Sequence, residues 1–347
     1  MDLKKTADWL EKSGYPKFRA RQISDAVYKN AVSGFDEITA LPAPLRTGLK
    51  SHFKILALEP ETVLESKAGN AVKAAFLLKD GLKIESVLLN LFPAKWSVCV
   101  STQAGCPVQC PFCATGRRGL KRNLSPAEIT SQYLFWAQYL KKSRPEERIT
   151  GAVFMGMGEP FLNYDSVAES IRTITDPDLI GLGDRHLSVS TAGHVPGIRR
   201  FAKDFPQVNL ALSLHAVDDA LRTRLVPLNE KYPLDQLSKA LRDYIFSTKR
   251  KVFIEYVLLG GINDSQTAAK KLSEWIKSVE NVKYFNVNLI SYNDARRAFR
   301  APARERAQLF ANLLLMFNIQ ATLRHSLGAD IKGACGQLAG SSTRDPA

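Results

Sequence analysis

Cys106, Cys110 and Cys113 stand at C-x3-C-x2-C spacing within Gly105-Cys-Pro-Val-Gln-Cys-Pro-Phe-Cys-Ala-Thr-Gly116. Three of the chain's 5 cysteines therefore fall in one short loop. Thiolates held so close repel one another unless a cationic centre neutralises them, so the spacing points to a metal or cluster. A structural zinc site is usually closed by four ligands in two short pairs, often with histidine among them. The loop has no second pair, and His52, His186, His194, His215 and His325 all lie elsewhere. Three ligands suit an iron–sulfur cluster with one iron left open to a substrate. The alternative from a different class is a zinc-containing RNA-binding module without redox chemistry.

Such a loop needs a scaffold. Residues 1 to about 55 show apolar residues at helical spacing (Leu3, Ala7, Leu10, then Ile23, Val27, Tyr28), broken at Gly14-Tyr-Pro16. Over 56–95 the period shortens, and Val72–Leu78 and Leu82–Leu89, split by Lys79-Asp-Gly81, read as a β-hairpin. Beyond 96, apolar strands alternate with helix-length stretches, which predicts a parallel sheet covered by helices. Ser97–Ser101 leads into the cysteine loop, and Ser125-Pro-Ala-Glu128 opens a helix with a capping box and proline at its first position. Further strands are expected at 151–155, 186–190, 208–213, 252–257, 284–290 and 319–323. Polar or glycine-rich groups follow them: Met155-Gly-Met-Gly-Glu-Pro160, Ser190-Thr-Ala-Gly193 and Ser213-Leu-His215. Ligands of parallel α/β folds bind at the carboxyl ends of the strands, so these groups line up one site.

Composition sets the bounds. At 347 residues, with 45% hydrophobic and 24% charged residues, the chain has ample material for a core. A net charge of +14 supports a polyanionic partner through phosphate neutralisation. Arg117, Arg118, Lys121, Arg122, Lys249-Arg-Lys251, Arg296, Arg297, Arg300 and Arg304 are candidate phosphate contacts. No apolar run approaches membrane-span length, the amino terminus lacks a signal-peptide core, and the cysteines form no even disulfide framework. A cytoplasmic location is expected.

The wider wording resembles a known family. Cys99-Val-Ser-Thr-Gln-Ala-Gly-Cys106, Cys113-Ala-Thr-Gly116, Lys121-Arg-Asn-Leu124, Phe154-Met-Gly-Met-Gly-Glu-Pro160, Leu212-Ser-Leu-His-Ala216 and Ala334-Cys-Gly-Gln-Leu338 are similar to the RlmN/Cfr family of radical S-adenosylmethionine (radical SAM) RNA adenosine methyltransferases. The resemblance covers nearly the whole chain, including Pro16-Lys-Phe-Arg-Ala-Arg-Gln-Ile23. It implies a partial (β/α)6 radical-SAM-type barrel with a small N-terminal helical domain and a β-hairpin extension. The expected division is an RNA-binding helical domain at 1–55, hairpin and linker at 56–95, the barrel at 96–340 and a disordered tail at 341–347.

The resemblance also implies roles. Cys106, Cys110 and Cys113 would hold a [4Fe-4S] cluster, with SAM bound near Gly158, Glu159, Ser190, Ser213, Leu214, His215 and Asn293. Cys335 matches the methyl-carrying cysteine, Cys99 the second catalytic cysteine and Glu85 the glutamate proposed as proton acceptor. Cys335 would take a methyl group from one SAM, because a thiolate is the competent nucleophile for that displacement. A second SAM would supply the radical that activates this methyl group for addition to adenine. Cys99 would then attack the Cys335 sulfur and free the methylated RNA. The implied partners are 23S rRNA, tRNA beside the anticodon in some members, and an electron donor such as flavodoxin; a monomer is expected.

One branch of the family modifies adenine carbon 2 and the other carbon 8, the latter giving antibiotic resistance. Pro160 resembles the carbon-2 branch, which is the expectation adopted here. Ser326-Leu-Gly-Ala-Asp-Ile331 lacks the arginine and second acidic residue usual in that branch, and Ser291-Tyr-Asn-Asp294 departs from a common Pro-Tyr-Asn-Pro wording.

Overall fold

The computed structural model describes residues 1, 3–293 and 298–339. The expected tail at 341–347, the last barrel residue 340 and the candidate contacts Arg296 and Arg297 lie outside the described residues.

The amino-terminal helices are α1 (Leu3–Lys12), α2 (Phe18–Ser24) and α3 (Ala43–His52). Gly14, at φ +74°, ends the first turn of chain, and α2 runs on into a π-helical turn at Asp25–Lys29. Leu10, Ile23, Val27, Leu45 and Leu49 form a core of their own, which meets the rest of the molecule through Leu134. Burying each such side chain contributes roughly 1.5–3 kcal/mol. The Met1 amino group donates to the Ile55 carbonyl at 2.9 Å, tying the start of the chain to the end of this unit.

The strands are β1 (Glu59–Glu65), β2 (Ala71–Leu77), β3 (Lys83–Phe92), β4 (Lys95–Cys99), β5 (Gln103–Gly105), β6 (Leu120–Asn123), β7 (Arg148–Phe154), β8 (Leu187–Thr191), β9 (Asn209–Ser213), β10 (Val252–Leu258), β11 (Phe285–Ser291) and β12 (Gln320–Arg324). Ten of them make one sheet, ordered β1-β2-β3-β4-β7-β8-β9-β10-β11-β12. From β4 to β12 every pairing is parallel. The remaining helices are α4 (Ala114–Arg117), α5 (Pro126–Ser143), α6 (Tyr164–Thr175), α7 (Val195–Asp204), α8 (Asp219–Leu225), α9 (Leu234–Thr248), α10 (Gln266–Val279) and α11 (Arg304–Met316). α5, α6, α7, α9, α10 and α11 serve as the crossovers, so six strand–helix units precede one further strand, β12. The capping box read at Ser125 is formed: Ser125 Oγ accepts from Glu128 N, and the Glu128 carboxylate accepts from Ser125 N at 2.9 Å.

β2 and β3 are the expected hairpin, in register from Ala71↔Leu89 to Leu77↔Lys83, with Gly81 at φ +82° in the turn. They extend the barrel sheet, because β3 pairs antiparallel with β4. β1 is an addition that periodicity did not announce. Its residues Glu-Pro-Glu-Thr-Val-Leu-Glu are almost all exposed, so no apolar alternation marks it as a strand.

After β12 the chain returns to the other side of the sheet. Lys67 N donates to Asp330 Oδ2 at 2.9 Å, the Lys73 ammonium to the Lys332 carbonyl at 3.4 Å, and Ala339 N to Glu85 Oε2 at 2.6 Å. This segment carries Cys335 to the carboxyl ends of the parallel strands, where Cys99, Phe154, Thr191 and Ser213 also end their strands. No helix among the described residues is long and apolar enough to cross a membrane.

Candidate active site

The cysteine loop is stapled at its base by β5 and β6, which pair antiparallel from Gln103↔Asn123 to Gly105↔Leu120. Gly105 is confined to glycine twice over: φ is +83°, and a Cβ there would lie 1.8 Å from the Gly119 carbonyl oxygen. Gly105→Ala should cost roughly 1–3 kcal/mol in strain. Its expected result is an iron content well below wild type with the global fold retained; full loading would show that the base of the loop does not set the cysteine geometry.

Cys106, Cys110 and Cys113 are half-buried and pack against Val108, Phe112, Ala216 and Tyr292. Burial, reinforced by Glu159 and Cys113, pushes the Cys106 thiol up to about 12. Cys110 is also raised, first by burial and then by Cys113 and Cys106. Thiolates in this loop are therefore stable only against a strongly cationic centre. The three cysteines line a cavity of about 180 Å³, shared with Gly158, Glu159, Ser190 and Asn293. Three soft donors on one wall of a polar-edged cavity fit a [4Fe-4S] cluster with SAM beside it.

The neighbouring strand ends are tied to this loop. Gly158 has φ +107°, and a Cβ would meet Gln103 Cβ at 2.7 Å, so the glycine lets the two loops touch. Glu159 N donates to Gln103 Oε1, and Gln103 Nε2 donates to Asn123 Oδ1, each at 2.8 Å. Glu159 is buried, and burial raises its carboxyl to about 7 against the opposing donors Ala192 N, Thr191 and Phe161 N. Its Oε2 accepts from Ala192 N at 2.7 Å, so Glu159 links the end of β7 to the end of β8. Ser190 Oγ and Ser213 Oγ lie 3.2 Å apart across β8 and β9.

His215 takes the left-handed conformation, φ +60°. Its Nδ1 accepts from Val257 N at 3.1 Å, which places the ring proton on Nε2. Burial, with help from Arg222, lowers the imidazole to about 3, so the ring is neutral. It stands edge-to-face on Phe112, 5.0 Å between centroids, directly supporting the cysteine loop. Leu214 lies outside the cavity wall; its side chain is fully buried and its carbonyl accepts from Arg222 Nε at 3.2 Å.

Cys335 is exposed at the cavity, and Asn293 Nδ2 donates to its carbonyl at 3.1 Å. Its thiol is nevertheless hemmed in, and burial followed by Glu255 raises it while Arg324 opposes the rise. Cys99 is buried at the end of β4, and its thiol is raised first by burial and then by Cys335. Glu85 and Cys99 do not line the cavity itself. Glu85 is 3% exposed and ion-paired to Lys73 at 2.8 Å, pointing inward where a strand glutamate more often points out.

The candidate phosphate contacts fall in different settings. Arg122 forms a bidentate pair with Glu128, at 2.8 and 2.9 Å, and also binds Asp80. Lys249–Lys251 immediately precede β10 and so sit at the amino-terminal rim of the barrel, opposite the cavity. Arg117, Arg118 and Lys121 are exposed beside the cysteine loop. Arg222 was missed altogether: within Asp218-Asp-Ala-Leu-Arg222 it reads as helix surface. It is fully buried, donating to Asn229 Oδ1 and Ala192 O at 2.7 Å beneath the strand ends.

Comparison with known proteins agrees with this architecture. The Radical SAM superfamily model matches residues 100–272, and the model of the ribosomal RNA large subunit methyltransferase N-terminal domain matches residues 1–55. The chain is 42% identical over 334 residues to a probable dual-specificity RNA methyltransferase RlmN of Heliobacterium modesticaldum, covering 95% of this chain and 86% of that one. It is 41% identical over 345 residues to the Chloroflexus aurantiacus protein of the same description, covering 98% and 91%. A solved radical SAM methyltransferase from Sphaerobacter thermophilus superposes with a TM-score of 0.92 at 39% identity, covering 98% of both chains. A zinc-only module is thereby set aside, and the cysteine loop and the glycine-rich strand ends belong to a chain of the RlmN family of radical SAM methyltransferases.

Proposed function

We propose that this chain methylates carbon 2 of an adenosine in 23S rRNA and in tRNA beside the anticodon, through a methyl group carried on Cys335. The observation that carries this reading is that Cys335 lines the same cavity as Cys106, Cys110 and Cys113. The relatives named as dual-specificity RNA methyltransferases support the two RNA substrates, and the RlmN relatives together with Pro160 support carbon 2.

Cys106, Cys110 and Cys113 would hold the [4Fe-4S] cluster, and the Gly158–Glu159 turn, Ser190, Ser213, His215 and Asn293 would shape the SAM site. When bound, the cluster and SAM supply one-electron chemistry and the methyl group. Cys335 offers the nucleophile that receives the methyl from SAM, since a sulfur anion attacks an electrophilic methyl where an amidine carbon cannot. Glu85, an inward carboxylate, would take the ring proton once the methylene carbon is bonded to adenine, as the adduct gives up one electron to the one-electron centre the three cysteines would hold. Cys99 would then attack the Cys335 sulfur: the sulfur–sulfur bond forms as the bond from that sulfur to the methylene carbon breaks, the carbon takes a proton to become the product methyl, and an electron carrier supplies the two electrons that return the disulfide to thiols. Asn293 orients the Cys335 backbone for both steps.

The finer assignments belong to the same proposal. Residues 1–55 serve as an RNA-binding unit and the protein works as a cytoplasmic monomer. An electron carrier such as flavodoxin supplies the reducing electrons, and the exposed Arg117, Arg118 and Lys121 are candidate contacts for RNA phosphates.

The test is stoichiometry. Anaerobically reconstituted protein with an rRNA or tRNA substrate should release equal amounts of S-adenosylhomocysteine and 5′-deoxyadenosine per methyl group delivered. Methylation without 5′-deoxyadenosine would overturn the radical route.

A further inference from the structure

Lys73 on β2 is a buried cation, 9% exposed, that the roles above leave unused. Its ammonium donates to Glu85 Oε1 at 2.8 Å and to the Lys332 carbonyl at 3.4 Å. The other carboxylate oxygen, Glu85 Oε2, accepts from Ala339 N at 2.6 Å. Lys332 and Ala339 bracket Cys335 in sequence, so one ion pair grips both stems of the loop that presents the thiol. The middle of that loop is held from a different direction, by Ala114 N on the Gly336 carbonyl at 2.8 Å and by Asn293 on Cys335.

Stability alone does not account for this arrangement. Taking two charges out of water costs several kcal/mol, and an apolar pair of the same volume is often as stable or more so. What an apolar pair could not do is fix a carboxylate and two loop stems in one geometry. The carboxylate is further fixed from its backbone, where the Glu85 carbonyl accepts from Ser101 Oγ at 2.5 Å at the entry to the cysteine loop. The cluster loop, the proton acceptor and the methyl-carrying loop therefore meet at a single side-chain pair.

We propose that Lys73 is a positioning residue for the methyl transfer: through Glu85 it sets both the proton acceptor and the register of the Cys335 loop. The proposal rests on the reading of Cys335 as methyl carrier and Glu85 as proton acceptor. Misplacing a reacting group by about 1 Å costs on the order of 100-fold in rate, so releasing the stems is expected to show in catalysis without loss of the fold.

The experiment uses the full iron-loaded chain and three variants, K73M, K73R and K73M/E85Q. Two quantities are read: hydrogen–deuterium exchange of residues 332–339, and the rate at which Cys335 gains a methyl group from SAM, by intact mass. K73M should raise exchange in the loop and slow methylation roughly 10–100-fold at unchanged iron content. K73R, which keeps the cation, should recover most of both. Wild-type exchange and wild-type methylation in K73M would overturn the proposal. If K73M fails to fold because Glu85 loses its cation, K73M/E85Q removes both charges; raised loop exchange there supports the proposal, and unchanged exchange refutes it. Failure of the parent reading is distinguishable, since it would appear as turnover retained without Cys335 while the exchange result stands independently.

Discussion

Cys335→Ala should abolish methyl transfer to RNA, lowering turnover by roughly 1,000-fold or more, while iron content and the visible absorbance of the cluster stay at wild-type levels. The separation follows from placement. Cys335 lies on the segment after β12, outside the loop of Cys106, Cys110 and Cys113, and that segment is joined to the loop by Ala114 N donating to the Gly336 carbonyl and Thr115 Oγ1 donating to the Leu338 carbonyl, neither of which uses the Cys335 sulfur. Losing the sulfur removes the nucleophile that accepts the methyl group and leaves the metal-binding loop whole. The check is single-turnover methylation together with iron and labile-sulfide analysis. Retained turnover would remove Cys335 from the chemistry; loss of iron along with turnover would make its role structural.

Cys99→Ala is expected to do something different: to accumulate a covalent protein–RNA adduct through Cys335. Once the methyl carbon is bonded to both the adenine and the Cys335 sulfur, release needs a second thiol to take that sulfur. Cys99, buried at the end of β4, is the residue proposed for this, and its thiol is raised by burial and then by Cys335. A denaturing gel should show a slower-migrating species that nuclease collapses and that disappears in the double variant with Cys335→Ala. Free, fully methylated RNA at the wild-type rate would show that Cys99 does not resolve the intermediate.

Much of the site was legible because its chemistry is local in sequence. The cysteine spacing, the Gly158–Glu159 turn and the strand-end serines each lie within a few residues of a strand, and parallel topology gathers strand ends at one rim. The crossover helices were legible for the same reason, since periodicity and capping act over one or two turns. What escaped depends on long-range burial. Arg222 carries a surface-like composition around it and is completely enclosed. Arg122 looked free for phosphate and is taken up by Glu128 and Asp80, the latter 42 residues away in the chain. The Lys73–Glu85 pair needs the register of β2 on β3 and the return of the segment after β12, which no local pattern encodes. Charge runs such as Lys249–Lys251 show the same limit: composition gives their sign, and only topology tells which rim they occupy.

The most direct test of the central claim is mass spectrometry of nucleosides from 23S rRNA and tRNA of cells with and without this protein. The account predicts 2-methyladenosine that appears with the protein, disappears with Cys335→Ala, and is found in both RNA classes. Appearance of 8-methyladenosine instead, or no new methyladenosine in cells whose protein carries an intact cluster and has reductant, would contradict it.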